Sequence, residues 1–174
     1  VLAANETRPV SNRNVDTVGR ILCVVNQKGG VGKTTTAVNL SAALAMSGQR
    51  ALLVDLDPQC NATGSLGLEP SDGHAIINPE PIDSKIVETE VSNLSILRGS
   101  RTLQDVDRLA DAGETETSQV RKHLDSIIDQ YDFILVDCPP SVGPLTQTAL
   151  TASTEVLMPI QCEYFAMEGL TQLI

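Results

Sequence analysis

Residues 26–36 read Asn-Gln-Lys-Gly-Gly-Val-Gly-Lys-Thr-Thr-Thr and fall between the apolar run Ile21–Val25 and an Ala/Leu-rich segment of helical pattern. Closely spaced glycines let consecutive backbone N–H groups turn toward one anion, and a helix N-terminus behind them adds partial positive charge. A lysine at position 33 is within reach of β- and γ-phosphates, and a hydroxyl at Thr34 can enter a Mg²⁺ shell. The expected chemistry is the binding of a nucleoside triphosphate. Lys33 and the amides of Gly30, Gly32, Lys33 and Thr34 are the expected holders of the phosphates, with Thr35 near the α-phosphate.

The loop departs from the pattern G-x-x-x-x-G-K-[ST], because Gln27 stands where a glycine belongs and a second lysine, Lys28, precedes Gly29-Gly30. Two cations on one small loop repel unless a polyanion lies between or near them. Carboxylates follow two other apolar runs. Asp55 and Asp57 come after Ala51–Val54, and Asp137 comes after Phe133–Val136. The carboxyl ends of strands in a parallel sheet are where nucleotides bind, so these three acids are candidates for metal and water. An aspartate with a pKa near ~4 is a weak base at neutral pH, which makes orienting an attacking water a better role for Asp57 than deprotonating it.

Lys28-Gly29-Gly30-Val31-Gly32-Lys33-Thr34-Thr35 resembles the deviant Walker A box of the ParA/MinD group of P-loop ATPases. The ParA (Soj-like) branch, which serves chromosome and plasmid partitioning, is the nearest in pattern. Three segments agree with it in order and separation: 53–63 (Leu-Val-Asp-Leu-Asp-Pro-Gln-Cys-Asn-Ala-Thr), 134–141 (Ile-Leu-Val-Asp-Cys-Pro-Pro-Ser) and 159–169 (Pro-Ile-Gln-Cys-Glu-Tyr-Phe-Ala-Met-Glu-Gly). The resemblance covers residues 20–174, so residues 1–19 are expected to be a flexible lead-in to one P-loop ATPase domain.

The resemblance implies a catalytic set of Lys28, Lys33 and Asp57. It implies nucleotide contacts from Lys28, Gly29, Gly30, Val31, Gly32, Lys33, Thr34 and Thr35. Mg²⁺ is implied at Thr34, with Asp137 acting through a water and Asp55 near the hydration shell. Lys28 is implied to reach the nucleotide of a second subunit and neutralise charge on the transferred phosphoryl group, as an arginine finger does. Mg-ATP then drives a sandwich homodimer, and slow hydrolysis stimulated by a ParB-like partner loosens it. The dimer binds DNA nonspecifically through parts outside this chain, which places it in the cytoplasm and on the nucleoid when ATP is bound. Glu163 is implied to face the other subunit's nucleotide or signature lysine; a plain surface role is the alternative.

Other readings remain open from sequence. A MinD-like membrane-associated positioning ATPase needs a C-terminal amphipathic helix that these residues do not contain. An iron–sulfur relative of the nitrogenase iron protein draws on Cys60, Cys138 and Cys162, which all follow strand ends, although their spacing matches no ligand motif. A fragment that binds nucleotide without turning it over is the last. The final residues Thr171–Ile174 end on the apolar pair Leu173-Ile174 within a helical pattern starting near Ala166, as expected of a piece of a longer chain.

Composition narrows the field further. The chain has 174 residues, 41% of them apolar, enough for one domain with a sizeable core. Its net charge of −10 argues against strong nucleic-acid binding by this segment alone. Its four aromatics, Tyr131, Phe133, Tyr164 and Phe165, are too few to stack single-stranded bases. The nucleotide loop nevertheless lies in a positive stretch, because residues 20–50 hold Arg20, Lys28, Lys33 and Arg50 and no acid. Four cysteines without a C-x-x-C pair favour reduced thiols.

These residues are positioned by a predicted alternation of elements. Strands are expected at Ile21–Val25, Ala51–Val54, Leu94–Leu97, Phe133–Val136 and Glu155–Ile160, several apolar throughout, as in strands buried on both faces. Helices are expected at Lys33–Ser47, with the stripe Ala37, Leu40, Ala43 and Leu44 and a stop at Gly48, and at Ser118–Gln130, with Ser118 as N-cap. Residues 67–81 and 111–117 read as surface excursions. The sum is an α/β fold with a doubly wound, mostly parallel sheet.

Overall fold

The structure, a computed structural model, describes residues 19–77, 81–108, 117–141 and 143–161. Six strands form one sheet: β1 (Arg20–Val24), β2 (Ala51–Asp55), β3 (Ile86–Glu88), β4 (Leu94–Leu97), β5 (Phe133–Asp137) and β6 (Glu155–Leu157), in the order β3-β4-β2-β5-β1-β6. All neighbours are parallel except β3, which pairs antiparallel with β4 at one edge. Five helices connect or flank them: α1 (Lys33–Met46), α2 (Asn61–Ser65), α3 (Leu103–Arg108), α4 (Thr117–Ile127) and α5 (Pro144–Ala152).

The interior strands alternate their side chains between two cores. Ile21, Cys23, Leu52, Val54, Ile134 and Val136 face one side and meet Val120, Leu124 and Ile127 of α4 and Ala149 and Ala152 of α5. Leu22, Val24, Leu53 and Leu135 face the other and meet Ala37 and Ala45 of α1. Because side chains on a strand alternate with period two, a strand covered on both faces must be apolar along its covered length, as Ile21–Val24, Ala51–Val54 and Phe133–Val136 are, with Arg20 at the exposed start of β1 and Asp55 and Asp137 at the carboxyl ends of β2 and β5. Full burial of each Ile or Leu here is worth on the order of 2 kcal/mol.

Helix α1 packs through smaller residues than its sequence stripe suggests. Its buried residues are Lys33, Ala37, Ser41 and Ala45, one every four positions. Ala43 is exposed, and Leu40 and Leu44 are half-buried. A ridge of small side chains brings the helix axis close to the sheet and keeps the N-terminus of α1 tight against the end of β1. The helix ends as expected: Gly48, at φ +92°, and Gln49 donate to the carbonyls of Ala45 and Leu44 at 3.0 and 3.1 Å, the paired bonds of a Schellman stop.

Several expectations are corrected. Helix α4 already starts at Thr117, so Ser118 lies inside it, and residues Ile128–Gln130 form a 3₁₀ turn rather than more α-helix. Strand β6 stops at Leu157, three residues short of Ile160. The excursion after Gly67 is not all surface: His74, Ala75 and Ile76 are buried at the start of a 3₁₀ turn, Ala75–Ile77. Elements β3, α2, α3 and α5 carried no clear periodic signal. The helix expected near Ala166, together with Cys162, Glu163 and residues 1–18, lies outside the described residues, as does most of 111–117.

Candidate nucleotide site at the carboxyl edge of the sheet

The carboxyl ends of β1, β5 and β2 come together at one level. Val24 of β1 is the register partner of Asp137 in β5, and Asp137 is in turn the partner of Asp55 in β2. The chain leaves β1 into residues 25–32 and enters α1 at Lys33. Gly30 and Gly32 adopt φ of +74° and +89°, a left-handed backbone that side chains other than Asn or Asp rarely tolerate. No side chain caps α1; Gly32 is its N-cap, so the helix begins with free amides facing the loop. The loop is tied down at its flanks. The Asn26 side chain accepts from the Lys28 amide at 2.9 Å and donates to the Pro159 carbonyl at 2.9 Å, and the Gln161 amide donates to the Gly30 carbonyl at 3.2 Å.

A cleft of about 330 Å³ opens at this edge, lined by Gly29, Gly30, Gly32, Lys33, Thr34, Thr35 and Asp57 of the expected residues, together with Gln59, Asn61 and Pro140. Lys33 is 7% exposed, and its ammonium donates to the Lys28 carbonyl at 3.1 Å. Burial lowers its pKa, and the carboxylates of Asp137 and Asp57 oppose that shift. Lys28 is exposed and Val31 is buried; neither lines the cleft.

Asp137 is fully buried, and neither of its carboxylate oxygens finds a hydrogen-bond partner. Burial pushes its pKa up to about 7; the Thr34 hydroxyl is near enough to restrain the shift without meeting bonding geometry, and the charges of Asp55 and Asp57 add to it. An orphaned buried carboxylate costs a few kcal/mol unless a cation or donor meets it. Thr34, Asp137 and the nearby phosphate loop are a hard-oxygen donor set that fits a magnesium ion keeping several of its waters.

Asp55 is placed differently. Its Oδ2 accepts from the Thr63 amide at 2.8 Å and the Thr63 hydroxyl at 2.6 Å, and its Oδ1 accepts from the Asp57 amide at 3.3 Å. It does not line the cleft. Asp57 does; its Oδ1 accepts from the Gln59 amide at 2.8 Å, an Asx turn that directs the chain into α2. Of the three cysteines that follow strand ends, Cys162 lies outside the described residues, and Cys60 and Cys138 are buried. Cys138 faces Cys23 with the sulfurs 3.3 Å apart, and among the described residues no group of three His, Cys, Asp or Glu is arranged to hold a metal.

Sequence reasoning missed Thr63, His74, Gly99, Asn26 and Gln59. Asn26 and Thr63 sit inside the quoted motif segments, which was the available signal. His74 and Gly99 had none, because their partners are brought to them only by the fold.

The comparisons agree with this geometry. A family model described as an AAA domain matches residues 19–174. The chain is 44% identical over 162 residues to the chromosome partitioning protein ParA of Myxococcus xanthus, covering 90% of this chain and 57% of that one. It is 46% identical over 160 residues to the chromosome-partitioning ATPase Soj of Treponema pallidum, covering 90% and 63%. Among solved structures, a Mycobacterium smegmatis protein described as cobyrinic acid a,c-diamide synthase, with a bound ATP analog and magnesium, superposes with a TM-score of 0.82 at 35% identity, covering 90% of this chain and 66% of that one. The chain thus spans about three fifths of the length of the curated relatives it matches. By its family match, its phosphate loop and its doubly wound sheet, the chain belongs to the AAA domain family, and it is similar in sequence to the ParA/Soj-type partitioning proteins.

Proposed function

We propose that the protein is a Mg-ATP-dependent partitioning ATPase that cycles between a monomer and an ATP-bridged homodimer. The observation that carries this reading is the orphaned Asp137 carboxylate, buried near Thr34 and Lys33, which line the cleft together with the loop glycines.

Each residue has a defined task. The amides at the start of α1 and the Lys33 ammonium hold the phosphates. Thr34 and Asp137 hold the metal, Thr34 by its hydroxyl and Asp137 through a water. When bound, magnesium neutralises charge on the phosphate oxygens. Asp57 orients the attacking water from the rim of the cleft, at its β2–α2 side. Asp55 supports the loop that carries Asp57, since Thr63 and the Asp57 amide occupy its oxygens. Lys28 is exposed and does not line the cleft, suited to a nucleotide on a facing copy.

The triphosphate supplies negative charge where two lysine-bearing loops meet, so the dimer forms with ATP and loosens on hydrolysis. Hydrolysis is slow and stimulated by a ParB-like partner. The ATP-bound dimer binds DNA nonspecifically on the nucleoid, within the cytoplasm, through segments beyond these residues, and the cargo is a chromosome or plasmid. Such a role fits the names of the relatives. The MinD-like membrane alternative has no counterpart among them, and among the described residues no helix is long and apolar enough to cross a membrane.

Light scattering on the full-length protein tests the cycle. Mg-ATP is expected to double the molar mass when Asp57→Ala blocks hydrolysis, and ADP is expected to leave it single. A protein that stays monomeric with Mg-ATP in the Asp57→Ala background removes the dimer cycle.

A further inference from the structure

Behind Asp57 lies a buried hydrogen-bond chain that joins three separate stretches of sequence. The Gly99 amide, just past β4, donates to the Thr63 hydroxyl at 2.8 Å. That hydroxyl donates to Asp55 Oδ2 at 2.6 Å, and the Thr63 amide reaches the same oxygen at 2.8 Å. Asp55 Oδ1 accepts from the Asp57 amide. From the third stretch, His74 Nε2 lies 3.1 Å from the Asp55 carbonyl while its Nδ1 accepts from the Ile76 amide at 3.3 Å, which leaves Nε2 as the donor. Asp55, Thr63 and His74 are all fully buried.

Space around this chain is tight. A Cβ on Gly99 would lie 2.8 Å from Asp55 Oδ2 and 3.0 Å from the Cys60 sulfur. Cys60 itself holds a left-handed backbone at φ 56° without being glycine, at the turn between Asp57 and α2. Such strain persists only where the surroundings fix the backbone. Here the Cys60 amide donates to the Asp57 carbonyl at 2.8 Å and the Cys60 carbonyl accepts from the Gly64 amide at 3.0 Å, which ties the turn to both the Asp57 loop and α2.

We propose that Thr63 is a positioning residue for the water-orienting Asp57: its hydroxyl, gripped by Gly99 and gripping Asp55, fixes the Asp55–Asp57 loop against the end of β4. Thr63 does not line the cleft, and its amide and hydroxyl both reach Asp55, so it acts through Asp55. A hydroxyl is needed because the same atom must accept from one group and donate to another, which valine cannot do and serine can. This inference rests on the proposed ATP hydrolysis, which it deepens.

The experiment compares Thr63→Val and Thr63→Ser in the full-length protein, with Thr63→Ala replacing the valine variant if that one fails to fold. Three quantities are read: Mg-ATP affinity, the hydrolysis rate at saturating ATP, and hydrogen exchange at the Asp57 and Gly99 amides. Thr63→Val is expected to hold affinity within about threefold while hydrolysis falls by about tenfold or more, and Thr63→Ser to recover most of the rate. Exchange at both amides rises in Thr63→Val and stays near wild type in Thr63→Ser. Equal loss of affinity and rate, or an unchanged rate in Thr63→Val, overturns the proposal. If the wild-type protein hydrolyses no ATP, the activity reading has failed, and exchange then decides alone: faster exchange at Asp57 and Gly99 sustains the brace, and unchanged exchange refutes it.

Discussion

Lys33 donates its ammonium proton to the main-chain carbonyl of Lys28 at 3.1 Å, so one signature lysine is held by the backbone of the other. Lys33 is buried at the mouth of α1 while Lys28 is exposed. A buried ammonium carries a desolvation penalty that the single carbonyl only partly offsets. Lys33→Met is therefore expected to leave the nucleotide-free melting temperature unchanged or slightly higher, and to abolish the shift that Mg-ATP produces in the wild type. Differential scanning calorimetry with and without nucleotide reads both. A melting shift retained by Lys33→Met contradicts its assignment to the phosphates.

Lys28 gives the opposite pattern. Its side chain lies outside the cleft, so Lys28→Ala is expected to keep Mg-ATP affinity within about threefold, near the error of a weak surface contact. Dimerisation with ATP, followed by sedimentation velocity, should be lost together with hydrolysis. Joint loss of affinity and dimer would place Lys28 on its own subunit's nucleotide.

Asp137 makes the metal-free protein pH-sensitive. Burial holds its carboxyl near a pKa of about 7, above the ordinary value of 3.8. A raised carboxyl contributes its stability fully below about pH 4, and loses it as pH climbs through about 7. Urea midpoints of the metal-free protein should fall across that window on this group's account, and Asp137→Asn should flatten the slope. Magnesium with nucleotide should stabilise the wild type most at pH 8, where the carboxylate is charged, and stabilise Asp137→Asn far less. A midpoint in Asp137→Asn that varies with pH as in wild type would refute the assignment.

His74 works with the other sign. Burial pushes its pKa down to about 4 from 6.5. A lowered imidazole contributes stability above about pH 6.5 and loses it as pH falls toward about 4, for a total near 3 kcal/mol. His74→Gln keeps a donor for the Asp55 carbonyl and removes the titration, so acid destabilisation between pH 6.5 and 4 should shrink. Since the Asp137 slope runs the opposite way, the two variants separate contributions that partly cancel in the wild type. Unaltered acid sensitivity in His74→Gln would place the titrating group elsewhere.

Legibility in the sequence followed burial on two faces and local repetition. Strands β1, β2 and β5 were readable because strands covered on both sides carry unbroken apolar runs, and β4 because only Ser95 interrupts its run. Strand β3, three residues ending in Glu88, offered no such run, and α5 spreads Leu145, Ala149 and Ala152 among threonines. In α1 the apolar stripe was partly right: Ala37 is buried and Leu40 and Leu44 pack at the edge of the core, but Ala43 is exposed and Ser41 and Ala45 take the buried positions. The loop glycines, Lys33, Thr34 and Asp57 were legible because their chemistry is local and ordered along the chain. Thr63, His74 and Gly99 were not, because their meaning lies in contacts made across 8 to 36 residues.

Isothermal titration calorimetry of the full-length protein with ATP, run with magnesium and again with excess chelator, bears most directly on the nucleotide site. Saturable binding that weakens by about tenfold or more without magnesium is the predicted result, with the same dependence lost in Asp137→Asn. No heat in either condition, or equal affinity with and without the metal, would contradict the account.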